Sequence, residues 1–189
     1  MAVPARNQRY TFADALEWEE DRVEVINGEV VMMSPPLREH QRISGALFAK
    51  LYHFLEGKQC QVYAAPFAVR PFEAEGDRPE DVDTMVEPDI TVVCDPDKLD
   101  KYGCKGAPDF IIEILSPSTR RMDLSVKFRL YQRAGVREYW ILDPDTKTVQ
   151  VFRIEDGRYD APDVYTAGAV VPSGIWDGFG IDLTTVFTE

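Results

Sequence analysis

A glutamate stands in the middle of the most apolar stretch of the chain, Phe110-Ile-Ile-Glu-Ile-Leu115. A run apolar on both faces is the pattern of a strand buried on both sides. An ionised carboxylate there costs several kcal/mol unless something compensates it. The compensation is a cation, a metal ion, proton uptake, or an ion pair with one of the nearby arginines. Two aspartates that each follow a proline are candidate companions of Glu113: Pro88-Asp89 and Pro108-Asp109. Asp109 lies four residues earlier on the same strand, ~13 Å away between Cα atoms. That is too far to share one ion, whose oxygen ligands sit at ~2.0–2.6 Å. Asp89 opens a different apolar segment, Asp89-Ile-Thr-Val-Val, and strand pairing can bring it beside Glu113. Asp89 is therefore the better candidate to share an ion with Glu113 where a metal rather than an ion pair compensates it, and Asp109 is expected to be a strand-start or turn residue.

The elements that must position this pair follow from periodicity. Thr11-Phe-Ala-Asp14 reads as a capping box opening a short helix through Glu20. Arg22 to Met33 reads as a hairpin turning at Asn27-Gly28. Ile43, Leu47, Leu51 and Phe54 recur at helical spacing, predicting a helix from about Arg38 to Glu56 that Gly57 ends. Gln61–Arg70 and Ile90–Cys94 are strand candidates, separated by an acidic surface loop over Ala74–Val86, and a polar loop continues through Lys105. A helix with a wide buried stripe is expected from Ser118 to Ala134, with Gly135 closing it. Strands over Arg137–Asp143 and Thr148–Ile154 and a β-rich C-terminal part complete an α/β chain with a central mixed sheet of at least four strands flanked by helices.

The 189 residues include 44% hydrophobic and 29% charged side chains, which excludes disorder and suits one domain over residues 1–189. No apolar run approaches the ~20 residues of a membrane span, and the N-terminus lacks the apolar stretch of a signal peptide. A soluble, cytoplasmic protein is expected. Cys60, Cys94 and Cys104 are odd in number and have no Cys-x-x-Cys spacing, and His40 and His53 are the only imidazoles. Free thiols in a reducing compartment are expected rather than a zinc site or a disulfide framework. The net charge of −12 is uneven. Residues 73–100 carry 11 acids and 2 bases, whereas residues 118–137 carry six bases, Lys127 among them, against Asp123 alone. A basic helix on an acidic protein would focus an anionic partner at one place; the ordinary alternative is a solvated face.

Pro88-Asp89 followed at a distance by Glu113-Ile114-Leu115 resembles the PD-(D/E)XK nuclease superfamily. Glu24-Val-Ile-Asn-Gly-Glu29, Val86-Glu-Pro-Asp-Ile90, Ala107-Pro-Asp-Phe-Ile-Ile-Glu-Ile-Leu-Ser-Pro-Ser-Thr119 and Glu138-Tyr-Trp-Ile-Leu-Asp143 together resemble one of its groups, the bacterial Uma-two-type restriction-endonuclease family, from about Thr11 to Phe187. The resemblance implies a restriction-endonuclease-like core. It implies Asp89 and Glu113 as acidic ligands of Mg²⁺ or Mn²⁺, with the backbone carbonyl of Ile114 as a third. The lysine of the motif belongs two residues after Glu113, where this chain has Leu115. In this group it is expected on the following helix as Lys127, four residues before Tyr131 and so on the same helix face. Glu24 and His40 also fall where the family favours those types.

The resemblance implies phosphodiester hydrolysis. The carboxylates would hold a hard cation that lowers the pKa of a bound water and clamps the scissile phosphate. Lys127 would position or deprotonate that water, or stabilise charge developing on phosphorus. Arg120, Arg121 and Arg129 are the expected contacts to flanking phosphates. Each residue also has a plainer reading: Lys127 facing solvent, Glu24 a surface acid, His40 a helix-start residue, Tyr131 in the core with its hydroxyl satisfied, and Trp140 and Trp176 packing. The aromatic run Glu138-Tyr-Trp-Ile could feed a homodimer surface, since paired nucleases must reach both strands. Three functions stay open: a metal-dependent endonuclease acting on nucleic acid, most plausibly DNA; a catalytically silent member that binds nucleic acid or protein; and a hydrolase of small phosphoesters.

Overall fold

A computed structural model of the chain describes residues 8–18 and 22–188. Near the N-terminus, the Asp14 carboxylate accepts from the Thr11 N–H at 2.7 Å and its hydroxyl at 3.0 Å, opening α1 (Phe12–Glu17). The helix is shorter than the expected run to Glu20, and Glu19 and Glu20 lie outside the described residues. Strands β1 (Val23–Ile26) and β2 (Glu29–Met32) form the hairpin. Asn27 and Gly28 both take positive φ, 50° and 79°, as a two-residue primed turn requires. Helix α2 (Arg38–Leu55) buries Ile43, Leu47, Leu51 and Leu55, one every four residues, with Phe48 and Phe54 packed half-buried beside that stripe.

The single strand expected over Gln61–Arg70 is two, β3 (Gln61–Ala64) and β4 (Ala68–Arg70), broken where the Ala65-Pro66 bond turns the chain. After β5 (Ile90–Val93), the loop expected to run through Lys105 instead ends in β6 (Gly103–Lys105), parallel to β4. Gly103 is required there because a Cβ would collide with the Ala68 carbonyl oxygen. Strand β7 (Phe110–Ile114) is buried throughout. The following helix is irregular: a π-helical stretch, Met122–Lys127, runs into α3 (Phe128–Ala134), and Gly135 at φ 87° closes it. Strands β8 (Glu138–Asp143), β9 (Thr148–Glu155), β10 (Arg158–Tyr159), β11 (Asp163–Thr166), β12 (Val170–Pro172) and β13 (Gly180–Asp182) complete the chain.

The central sheet has the order β10-β9-β8-β7-β5-β3, with β11 also on β9. Only β7 and β8 run parallel in it, joined by the π/α3 crossover, and the remaining pairs are antiparallel. This is the mixed α/β sheet expected from the sequence. Alternation along β7 divides the core. Phe110, Ile112 and Ile114 face α2 and the C-terminal β12–β13 hairpin, while Ile111 and Leu115 face α3. Glu113, by the same period of two, belongs to the α3 face.

Two expectations are corrected. Cys60 and Cys94 are not free thiols but a disulfide; their strands are antiparallel with Gln61 opposite Val93, so the next residues out face each other. Thirty-four residues separate them, and nothing in their spacing announces the pairing. Cys104 is free and buried. The run Glu138-Tyr-Trp-Ile is buried at every position inside the central sheet, so it is core and not a docking surface. Among the described residues, no helix is long and apolar enough to cross a membrane.

Candidate active site

The β5–β7 register pairs Ile90 with Ile112, and one further step places Asp89 opposite Glu113. Extending by another step sets Pro88 opposite Ile114, where proline has no N–H to offer the Ile114 carbonyl. The Ile114 N–H donates to Asp89 Oδ2 at 2.8 Å. The Pro-Asp sequence thus does two things at the strand end. It removes the N–H that position 88 would otherwise offer, the Ile114 backbone bonding His40 instead, and it ties the aspartate to the strand that bears Glu113.

Lys127 is buried, not solvent-facing. Its Nζ lies 2.9 Å from Glu113 Oε1, 2.8 Å from Glu24 Oε1 and 3.8 Å from Asp123 Oδ1. Tyr131, one turn on, donates its hydroxyl to the same Glu113 oxygen at 2.7 Å, so the expected shared helix face is what the fold uses. Glu24 is likewise buried rather than a surface acid, and its Oε1 also accepts the Glu87 N–H at 2.9 Å. On the opposite side His40, in the first turn of α2, places Nε2 3.1 Å from Asp89 Oδ2. Asp89, Glu113, Ile114, Lys127 and His40 all line one cleft of about 430 Å³ between the hairpin, α2 and the start of the crossover helix.

Sequence reasoning missed Asp123. It is 2% exposed, lines the same cleft, and its Oδ1 has no hydrogen-bond partner among the described residues. The signal was available: Asp123 is the single acid of the basic helix and sits four residues before Lys127. Glu87 was missed too; it lies 3.5 Å from Arg22 behind Glu24.

The electrostatics record a shortage of positive charge. Burial pushes the Glu113 carboxyl well above its ordinary range, against the pull of Lys127, and Asp123, Asp89 and Glu24 push the same way. Burial likewise lifts Asp123 to about 6, with Lys127 opposing, and raises Glu87 against Arg22. Burial works against the charge on Lys127, but Glu113, Glu24 and Asp123 outweigh it and hold the ammonium well above its usual value. Burial also opposes the charged form of His40, yet Asp89 and the Ile114 backbone carry it upward on balance. Three carboxylates share one ammonium, which is one negative charge or more too many for a dry site.

That surplus fits a divalent cation. Oδ1 of Asp89 and Oε2 of Glu113 have no hydrogen-bond partner among the described residues, and these hard oxygens with the Ile114 carbonyl suit Mg²⁺ or Mn²⁺. No set of three or more His, Cys, Asp or Glu side chains among the described residues is already arranged around a metal position. The fit is therefore of the open kind, in which water or substrate oxygens supply the remaining ligands.

The arginines expected at flanking phosphates separate. Arg120 is held by Asp143 at 2.6 Å, beside the cleft. Arg121 and Arg129 are exposed and have no ion-pair partner among the described residues. Asp109 caps β5, accepting the Cys94 N–H at 2.8 Å, and meets Arg137 at 3.2 Å, as expected of a strand-start residue.

A family profile described as "Uma2: Putative restriction endonuclease" matches residues 11–184. An uncharacterized protein of Synechocystis sp., slr1290, is 26% identical over 134 residues, which is 69% of this chain. The chain spans 66% of the length of that relative. A crystal structure titled as a "putative nuclease belonging to DUF820" from Anabaena variabilis superposes with a TM-score of 0.74 at 20% identity, covering 94% of this chain and 97% of the other.

Proposed function

The chain belongs to the Uma2 restriction-endonuclease family, and on that premise we propose that it is a metal-dependent endonuclease that hydrolyses phosphodiester bonds of nucleic acid, most plausibly DNA. The observation that carries the reading is the meeting of Asp89 and Glu113 across β5 and β7 at the floor of a cleft, each with one carboxylate oxygen unengaged. Asp89, Glu113 and the Ile114 carbonyl would hold Mg²⁺ or Mn²⁺. When bound, the ion supplies Lewis acidity to the scissile phosphate and lowers the pKa of an attacking water.

The protein's own groups divide the remaining work. Lys127 is held in its charged form by three carboxylates, which suits it to electrostatic work. Its role is to orient the attacking water and to stabilise charge as it builds on the phosphoryl oxygens. Tyr131 and Glu24 fix the ammonium and Glu113 in register. His40 orients Asp89 through Nε2. Arg121 and Arg129 are available to flanking phosphates, and Arg120 would have to leave Asp143 to join them.

The test is cleavage of plasmid, single-stranded DNA, RNA and a small aryl phosphodiester, with Mn²⁺, Mg²⁺ or chelator. Asp89→Ala and Glu113→Ala should abolish cleavage while the fold survives by circular dichroism. Cleavage in chelator, or in both variants, would overturn the metal reading. Turnover of the small diester alone would move the assignment to a small-phosphoester hydrolase, which the acidic cleft would also suit.

A further inference from the structure

Helix α2 carries a glycine, Gly45, in its middle, where glycine destabilises a helix relative to alanine. Nothing in the packing asks for it. Gly45 is exposed, its φ is ordinary, and a Cβ built there would meet nothing within 4 Å. The core stripe of α2 runs through Ile43 and Leu47, on another face. Gly45 instead lines the cleft of Asp89 and Glu113, between the turn that holds His40 and the turn that holds Phe48. Phe48 in turn stacks with Tyr52 one turn further on, ring centroids 6.0 Å apart and planes 25° apart, and Tyr52 is 58% exposed. The helix therefore presents an open floor at Gly45 followed by a stacked aromatic pair, Phe48 half-buried against the core at the edge of the cleft and Tyr52 exposed beyond it.

The charge of the cleft says what kind of strand it can hold. Its acids are Asp89, Glu113 and Asp123; its bases are already paired, Arg22 with Glu87, Lys127 with Glu24 and Glu113, and His40 with Asp89. A duplex held by its two phosphate backbones needs several free Lys or Arg side chains. Unpaired bases can be held by stacking, with far fewer charges. At the carboxylate end, the orphan Oδ1 of buried Asp123 leaves an acceptor for whatever enters the cleft.

We propose that the open face of α2 at Gly45 is a nucleobase slot: an unpaired base next to the scissile phosphate lies over Gly45 and stacks toward Phe48 and Tyr52, making single-stranded or frayed nucleic acid the substrate class. The proposal rests on the nuclease reading above and narrows it. It also gives Gly45 a reason, since a bulky side chain there would fill the slot.

The experiment is fluorescence anisotropy with a short labelled single strand and the matching duplex, in Ca²⁺, on the wild type, Gly45→Ala, Gly45→Leu and Tyr52→Ala. Melting curves and Mn²⁺-dependent cleavage are run alongside. The single strand should bind at least about tenfold tighter than the duplex. Both glycine replacements should raise the melting temperature by ~2–4 °C, because the helix gains. Gly45→Leu should nonetheless weaken single-strand binding by about tenfold or more, and Gly45→Ala by much less. Tyr52→Ala should weaken it by about fivefold or more, the loss expected of one stacking partner. Equal affinity for the duplex, or unchanged single-strand binding by Gly45→Leu, would overturn the slot while leaving any observed cleavage, and hence the nuclease reading, in place. No binding or cleavage of either nucleic acid by the wild type would remove both.

Discussion

At the scale of single residues, the buried cluster around Lys127 sets stability and chemistry together. Replacing Lys127 by Met leaves Glu24, Glu113 and Asp123 facing one another without a cation. Breaking a buried pair in this way costs about 3–5 kcal/mol. The loss should be largest at alkaline pH and shrink as the acids take up protons, which urea unfolding at pH 5 and pH 8 would read. The metal-free wild type should show the same sign more weakly. Asp123 has a folded pKa of about 6, above its ordinary 3.8. Its favourable contribution is therefore fully present below pH 3.8 and lost as the pH rises through about 6. Thermal melts in chelator should fall over that window, and Mn²⁺ should restore stability at pH 7–8, where the acids are ready to bind it. Melts that rise with pH in chelator, or that Mn²⁺ leaves unmoved, would count against an acid surplus held for a cation.

At the scale of elements, two ties hold the site's neighbours. The disulfide between Cys60 and Cys94 fastens the edge strand β3 to β5, which leads from Asp89. Closing a loop of 34 residues is worth about 3–4 kcal/mol in the chain-entropy account. Reduction should lower unfolding free energy by that order without dissolving the carboxylate cluster, which lies at the other end of β5. The second tie is Arg70 on β4, fully buried, paired with Glu73 and with Asp100 at 2.7 Å, its guanidinium 4.8 Å from the centre of the Phe12 ring. It anchors the acidic segment that joins β4 to β5 and β6. Arg70→Ala strands two carboxylates and removes packing from α1, for a cost of about 3–5 kcal/mol. Limited proteolysis should then cut between residues 73 and 100 first.

At the scale of the whole molecule, a chain of net charge −12 has little to draw a polyanion with. Half of the bases on the helix that looks basic in sequence are neutralised in place: Arg120 meets Asp143, Arg137 meets Asp109 and Lys127 is buried among acids. Arg133 reaches only the neutral Asn27 side chain and lies over Phe72, so Arg121, Arg129 and Arg133 keep their charge. Binding of nucleic acid should therefore depend on salt with a slope of about 2–3 in a log–log plot, far below that of proteins making 6–10 phosphate contacts. A slope near 6 would show that an array of phosphate contacts has been overlooked and that the bound substrate is not held chiefly by stacking.

What the sequence determined by itself are the parts governed by local rules. The Asn27-Gly28 turn, the α2 core stripe, the apolar strand with its one misplaced acid, and the Gly135 stop are each written within a few adjacent residues. That Asp89 and Glu113 lie side by side was legible because strand pairing brings residues together only at certain positions; the partner that burial of Glu113 demands is Lys127, from the following helix. Lys127 could be singled out through the family resemblance, but its environment could not: the same spacing serves a solvated lysine. Tertiary structure decided what depends on register and closure between distant segments. It set Cys60 against Cys94, split the strand before β4, turned Glu24 inward, added Asp123 and left Gly45 facing an open cleft. Burial, pKa and free space are properties of what surrounds a side chain, and those surroundings come into being only when the sheet and its two covering layers are assembled.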